Sequence, residues 1–232
     1  MAKTKAHTRY RLDDGTVVPS VTTIINQNLG WNKAQLIAWA RREALAGNDP
    51  DKIRDQAADR GTIAHGMIEE LLTGKPFDRS EYAPADLEKA ERSVEGFREW
   101  MSRYDLEVLE TERALVHPVL RYGGTIDLLA MLDGKLAIID FKTSKGVYAT
   151  HRIQLAAYWE LVVYHLLEGD LGHHFDAANV PYIMPWVSPS CHILHLDYRR
   201  GDFTHYPLGP LSHELEAFLH LLALEKLRKE IE

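Results

Sequence analysis

A single cysteine, Cys191, stands in 232 residues. That scarcity excludes an internal disulfide, a four-cysteine iron–sulfur site and a zinc ribbon, and leaves a buried, unreactive thiol as its expected role. Long apolar runs are missing too, since no stretch approaches the roughly 18 residues of a membrane-spanning helix. The opening MAKTKAHTRYRLDDG lacks the apolar segment of a secretory leader, so a cytoplasmic protein with no membrane partner is expected. Repeats, low-complexity tracts and linkers are likewise absent, and residues 1–232 read as one domain. Positive charge is in deficit. The formal net charge of −7 argues against a protein that coats nucleic acid through its overall field. It leaves room for a nucleic-acid enzyme whose acids serve a site and whose substrate meets local basic clusters. Lys3, Lys5, Arg9 and Arg11, then Arg41 and Arg42, then Lys226, Arg228 and Lys229 are such clusters, although most clusters of this kind are simply solvated surface.

What is present is an ordinary globular composition, 45% hydrophobic and 26% charged, enough for one substantial core. YRLDDGTVVPSVTTII predicts a short hairpin and then a helix capped by Ser20 or Thr22. Residues 32–46 have helical spacing, with Leu36, Trp39, Ala40 and Leu45 expected on the buried side. After a break at GNDP, a polar helix over 51–60 runs into a second one, RGTIAHGMIEELLTGK, and an amphipathic helix follows over about 84–104. From 107 to 143 the pattern is that of strands. Residues 149–168 form a helix apolar on almost every side, expected to be sandwiched rather than superficial. CHILHLDYRRGDFTHYPL predicts a last hairpin turning at Arg200-Gly201. The expected class is mixed α/β (α+β): a helical part over about 20–104, a mostly antiparallel sheet with a crossover helix over about 107–200, and a closing helix over about 211–230.

The chemistry concentrates in GGTIDLLAMLDGKLAIIDFKTSKG. Asp133-Gly134 is a two-residue hairpin signal, because both central positions of that turn favour positive φ. With Leu132 opposite Lys135, counting outward puts Asp127 opposite Asp140. Like charges facing each other across a pair of strands are destabilising. Flanked by LL, AII and F, the two acids are tolerable if a cation joins them. Lys142 falls two residues after Asp140, on the same strand face. A lysine there can lower the pKa of an attacking water or stabilise charge on a phosphate. Oxygen donors with open positions suit magnesium or manganese. The bland alternative is a surface salt bridge on the outer face of the hairpin.

GTIDLL, followed thirteen positions after its Asp by IDFKTS, resembles the core of the PD-(D/E)XK nuclease superfamily. RGTIAHGMIE upstream and QLAAYW downstream are similar to its RecB-like exonuclease branch, which includes phage exonucleases and the mitochondrial genome maintenance exonuclease. PSVTTII and LIAWARREA are similar to the leading segment of those proteins, so the resemblance spans roughly residues 10–165. Four short motifs in the right order are specific where each alone is weak.

The resemblance implies a restriction-endonuclease-like core, a central mixed sheet flanked by helices with an N-terminal helical segment. It implies a magnesium-dependent deoxyribonuclease, with manganese able to substitute and no iron–sulfur cluster. The implied partner is DNA, single-stranded or with free ends, in repair, recombination or phage replication. Asp127 and Asp140 would ligate the metal with the carbonyl of Phe141, and His65 would be a further ligand. Lys142 is the lysine of D-x-K, and Gln154 and Tyr158 match a Q-x-x-x-Y motif that contacts substrate. Ile126 stands where the family name has proline, a position without chemistry.

Bland readings stand beside these. A helical histidine is often structural, although His65 and Glu69, four apart, share a face. Gln154 has a lesser alternative as a core amide bonded to neighbouring backbone. Arg60, with Gly61 and Thr62, is placed ahead of the His65 helix, where a phosphate or a plain cap would fit. Thr143 and Ser144 could donate to a phosphate or merely end a strand. Glu112 lies among several strand acids and is not chosen as a ligand. His173-His174 and the His192/His195 pair lack a clear four-ligand set for zinc. Two other functions compete: a non-catalytic nucleic-acid-binding or assembly subunit on the same scaffold, and a phosphodiesterase for small substrates.

Overall fold

The computed structural model describes residues 8–168, 171 and 189–231; Lys3, Lys5 and the His173-His174 pair lie outside the described residues. A small hairpin, β1 (Tyr10–Arg11) and β2 (Val17–Val18), leads to α1 (Val21–Asn28), whose cap is Ser20 accepting the N–H of Thr23 at 3.0 Å. Then come α2 (Lys33–Leu45), α3 (Pro50–Thr73) and α4 (Pro84–Met101). Pro50 and Pro84 both open their helices, where a missing N–H costs nothing.

Strands β3 (Leu106–His117), β4 (Tyr122–Leu132) and β5 (Lys135–Lys142) form a meander. Helix α5 (Ala149–Leu167) crosses over to β6 (Ser190–Asp197), which turns into β7 (Asp202–Leu208) before the closing helix α6 (Ser212–Ile231). The sheet order is β3-β4-β5-β6-β7, with β5 and β6 parallel and every other pair antiparallel. A parallel neighbour demands a crossover, and α5 supplies it. The architecture is the mixed α/β class expected, with a five-stranded central sheet between helices.

The sheet is apolar on both faces because helices cover both. On one side Ile138, Ile193 and Leu129 pack with Val21 and Ile24 of α1, Leu161 of α5 and Phe218 of α6. On the other, Leu128, Ile139, Phe141 and Leu194 pack with Ile63 and Ile68 of α3 and Phe97 and Trp100 of α4. Fully burying each such large side chain stabilises by about 1.5–3 kcal/mol. α5 contributes buried residues from Ile153 to Leu166 around much of its circumference, as its all-round apolar pattern requires. Cys191 is a buried free thiol, and burial pushes its pKa up to about 12.

Two sequence-based expectations need correction. α2 forms, but none of its residues is buried, and Leu36, Ile37 and Leu45 are 59%, 68% and 79% exposed. Helical spacing made the helix; its packing is against α3, which leaves most of that apolar surface uncovered. The polar stretch 51–60 and the His65 segment are a single 24-residue helix, α3, so Arg60 and Gly61 sit within it and not before its start. One glycine costs only about 1 kcal/mol inside a helix, too little to break this one. The C-terminal basic cluster also has structural work: Arg228 and Lys229 pair with buried Glu225, which accepts from Asn28 of α1.

A directed hydrogen-bond relay ties α4 to the far strands. Trp100 Nε1–H donates to His205 Nδ1 at 3.3 Å, so the His205 proton sits on Nε2, 2.9 Å from His192 Nδ1. His192 Nε2–H then donates to Ser190 Oγ at 2.8 Å, and that hydroxyl to the Leu136 carbonyl at 3.1 Å. This use of His192 is structural. Burial, then the neighbouring His205, lowers the His192 pKa from 6.5 to about 4. Between those values the unfolded chain binds the proton and the folded chain does not, so stability is full above about 6.5 and falls with acid. The loss attributable to this residue reaches about 3 kcal/mol at pH 4. Thermal unfolding from pH 7.5 to 4 should therefore show a steeper acid decline in the parent than in His192→Gln. Parallel curves would show that the relay is not the titrating element.

Candidate metal centre

The Asp133-Gly134 turn adopts positive φ at both residues, +49° and +74°, and fixes the register of β4 on β5. Pairing runs from Leu132 opposite Lys135 to Leu128 opposite Ile139, and there the ladder stops. Beyond it the strands part, just before the two acids. Asp127 Oδ2 accepts the backbone N–H of Phe141 at 2.7 Å, so a side chain takes over from the ladder. Strand alternation slips at the same place. Ile126 packs with the α5 layer, although Leu128 and Ala130, of the same parity, pack with α3 and α4.

His65 reaches this opening from α3. Its Nδ1 lies 3.4 Å from Asp127 Oδ1 and 3.4 Å from Glu112 Oε1, and its Nε2 lies 3.2 Å from the Phe141 carbonyl oxygen. Glu112 comes from β3, between the pairs Thr111–Leu128 and Arg113–Ile126. It arrives through a bulge between Val108 and Glu110 and a φ of +46°, a left-handed conformation that a non-glycine residue holds at a cost of about 1–3 kcal/mol. Among the described residues, His65, Glu112 and Asp127 form a group that could hold a metal ion, each offering one ligand atom within 4.8 Å of the others. Spacing did not single out Glu112. A bulge and a left-handed residue break the period of two that would have aimed it at Asp127.

Asp140 stands beside this group, 1% exposed. Lys142 Nζ lies 2.6 Å from its Oδ2 as an ion pair, yet neither carboxylate oxygen has a partner in hydrogen-bond geometry. Burial raises the Asp140 pKa to about 6, with Lys142 opposing and Asp127 adding to the rise. Burial acts upward on Asp127 as well, but His65, Lys142 and the Phe141 N–H outweigh it and hold that carboxyl below its usual range. On His65 burial acts downward, and Asp127 and Glu112 override it, raising the imidazole to about 10. The same acids that hold a proton on His65 would attract a cation. The donor set of carboxylates, an imidazole and a carbonyl oxygen fits a divalent ion, and Asp140 has unsatisfied oxygens to give it.

α5 presents the remaining motif residues. Gln154 Nε2 donates to the Tyr158 hydroxyl oxygen at 2.7 Å. Burial and the charges of Asp140 and Asp127 hold that phenol well above its ordinary pKa, so it keeps its proton. Gly124 makes room for the ring, because a Cβ there would lie 2.6 Å from a Tyr158 ring carbon. A cleft of about 550 Å³ opens next to the acids, lined by Arg60, His65, Phe141, Lys142, Thr143, Ser144, Lys145, His151 and Tyr198. Arg60 sits mid-helix, without free helical N–H groups. Its Nη1 is 3.4 Å from Asp86 Oδ1, and its guanidinium lies 5.2 Å from the centre of the Tyr198 ring. Ser144 Oγ donates to the Gly146 carbonyl at 2.8 Å, and His195 Nε2 lies 2.6 Å from the Ser144 carbonyl oxygen. His195 thus fixes the loop after Lys142.

The family model of the PD-(D/E)XK nuclease superfamily matches residues 36–182, more than half of the chain. The chain belongs to that superfamily. No curated protein matches it. Nucleases of the PD-(D/E)XK superfamily use divalent metal ions and act on nucleic acid, which agrees with the acid and histidine cluster. The match covers α3, the β3–β5 meander and α5, the elements that carry His65, Glu112, Asp127, Asp140, Lys142, Gln154 and Tyr158.

Removing charge at this centre should separate stability from ion binding. Asp140→Asn relieves a buried carboxylate, so without divalent ion it should unfold no earlier than the parent at pH 7.5. Mg²⁺ or Mn²⁺ should raise the parent midpoint, and the rise should shrink in Asp140→Asn, Asp127→Asn and Glu112→Gln. An undiminished rise in Glu112→Gln would remove Glu112 from the ligand set.

Proposed function

We propose that this protein is a divalent-metal-dependent deoxyribonuclease of the RecB-like branch, acting as an exonuclease on DNA with free ends. Magnesium would be the working ion, with manganese able to replace it, and repair, recombination or phage replication would be its setting. One observation carries the reading: the buried Asp140 carboxylate with Lys142 at 2.6 Å, beside the His65–Glu112–Asp127 group. A carboxylate kept dry with unsatisfied oxygens costs stability, and function is the reason to retain it.

His65, Asp127, Asp140 and the Phe141 carbonyl would hold the ion, with Glu112 added to the set. When bound, the ion supplies positive charge that polarises the phosphoryl group and acidifies an attacking water. Lys142, held by Asp140, is placed to donate to phosphoryl oxygens as negative charge grows on them. Tyr158 accepts from Gln154, so its own proton is available to donate toward the acids or the strand. Arg60, Thr143 and Ser144 line the cleft where the sugar–phosphate chain would run.

End-labelled single- and double-stranded oligonucleotides incubated with Mg²⁺ should be shortened from their ends, and EDTA should stop the reaction. Lys142→Ala should slow cleavage by about 10²–10³-fold at temperatures well below its unfolding midpoint, which should itself fall because Asp140 loses its ion pair. Parent-like cleavage by Lys142→Ala would refute the assignment. Internal cuts in a closed circular substrate would replace the exonuclease reading with an endonuclease one.

A further inference from the structure

His151 has no place among the motif residues, yet it lines the same cleft as His65, Lys142 and Lys145. Its position is set by the start of α5. Tyr148 is the N-cap: its backbone carbonyl accepts the His151 N–H at 3.0 Å, and the His151 side chain, three residues on, reaches back to the Tyr148 backbone N–H. That N–H donates to His151 Nδ1 at 3.3 Å. An imidazole nitrogen that accepts carries no proton, so the proton of the neutral ring resides on Nε2. Among the described residues, Nε2 has no hydrogen-bond partner. The ring is further held edge-on to Tyr148, with centroids 5.3 Å apart. Burial, then Lys142 and His195, keeps the imidazole neutral, with its pKa lowered to about 3. The result is a rigid, uncharged N–H donor in a cleft that has one carboxylate, Glu43, in its lining and, beside His151, the donors Lys142, Lys145, Thr143 and Arg60. Those four donors outnumber the single acid, so the part of the cleft around His151 suits an anion.

Resting on the nuclease reading above, we propose that His151 is a substrate contact whose Nε2–H donates to a non-bridging oxygen of the phosphodiester next to the scissile one. Lys142 attends to the phosphate being cleaved, and His151 fixes the register of the strand behind it. A neutral donor suits this task because it fixes a phosphate oxygen by direction and not by charge.

Two substitutions separate the contact from the cap. In His151→Asn the side-chain oxygen can still accept the Tyr148 N–H, but nothing reaches the place of Nε2. In His151→Gln an amide N–H can reach that place while the cap acceptor is lost. With a Mg²⁺-supplemented single-stranded oligonucleotide, His151→Asn should lower kcat/KM by about ten- to hundredfold, mainly through KM, with a parent-like unfolding midpoint. His151→Gln should recover part of the loss despite a weaker cap. Parent-like kcat/KM in His151→Asn overturns the proposal while leaving the nuclease reading intact. So does an activity loss that follows the unfolding midpoint in both variants, since that is the mark of a structural cap. A parent protein that fails to cleave or bind any oligonucleotide sinks the nuclease reading itself.

Discussion

The structure turns on one unfavourable act, the burial of Asp140. A carboxylate that is 1% exposed, with no partner in hydrogen-bond geometry and a single ion pair, is a liability that a chain selected for stability alone would replace with an apolar residue. Its neighbours make the imbalance worse. Glu112, Asp127 and Asp140 bring three carboxylates together, and Lys142 brings one permanent positive charge. The protein answers by drawing a proton onto His65, whose pKa rises to about 10. That proton does in part what a divalent ion would do completely, because an ion can be shared by several oxygens and a proton on one ring cannot.

The fold makes this imbalance possible at little cost to the core. The acids lie where β4 and β5 part, just beyond a run of apolar pairs from Met131–Leu136 to Leu128–Ile139. The parting is local: two pairs earlier the ladder is regular, and the Asp127 side chain captures the Phe141 N–H that the ladder abandons. The parallel step from β5 to β6 then imposes a crossover, and that crossover starts immediately beyond the last residue of the site. The first turns of α5 are therefore delivered to the carboxyl end of β5, the end at which parallel strands present ligand-binding crevices. His151, Gln154 and Tyr158 follow from that placement, one helical turn after another.

Legibility in the sequence tracks how local each constraint is. Asp127, Asp140 and Lys142 could be aligned from the numbers alone because a two-residue turn fixes register rigidly, and Asp133-Gly134 took the positive φ values that this turn needs. The counting reached its limit where the ladder ended, so it brought the acids near each other without revealing the gap between the strands. Gln154 and Tyr158 were readable because four residues make a helical turn. Glu112 was not, because a bulge and a left-handed residue re-aim it and neither has a signature in composition. His151 could have been noticed as the third residue after a helix cap, but its role depends on which nitrogen accepts, a matter of tertiary geometry. α2 failed for the opposite reason: its spacing is a genuine helical signal, and spacing is silent about whether anything covers the helix.

The charge of the whole chain and the charge of the cleft then have to be reconciled. A net charge of −7 gives nucleic acid no long-range invitation. The cleft offers few cations, chiefly Lys142, Lys145 and Arg60, and Arg60 is already shared with Asp86. Each neutralised phosphate adds to both affinity and salt dependence, so a surface with few of them grips a strand weakly by electrostatics alone. On the proposed reading the balance would fall to directional donors, the Lys142 ammonium, the Tyr158 phenol and the His151 imidazole, and to the ion that the acids would hold. On that view the acidic chain and the acidic site belong together. Carboxylates that repel a bare phosphate chain attract a divalent cation, and the cation reverses the sign of the field only at the point where cleavage would occur. Away from that point the surface stays unattractive, which would favour release of a cleaved nucleic acid.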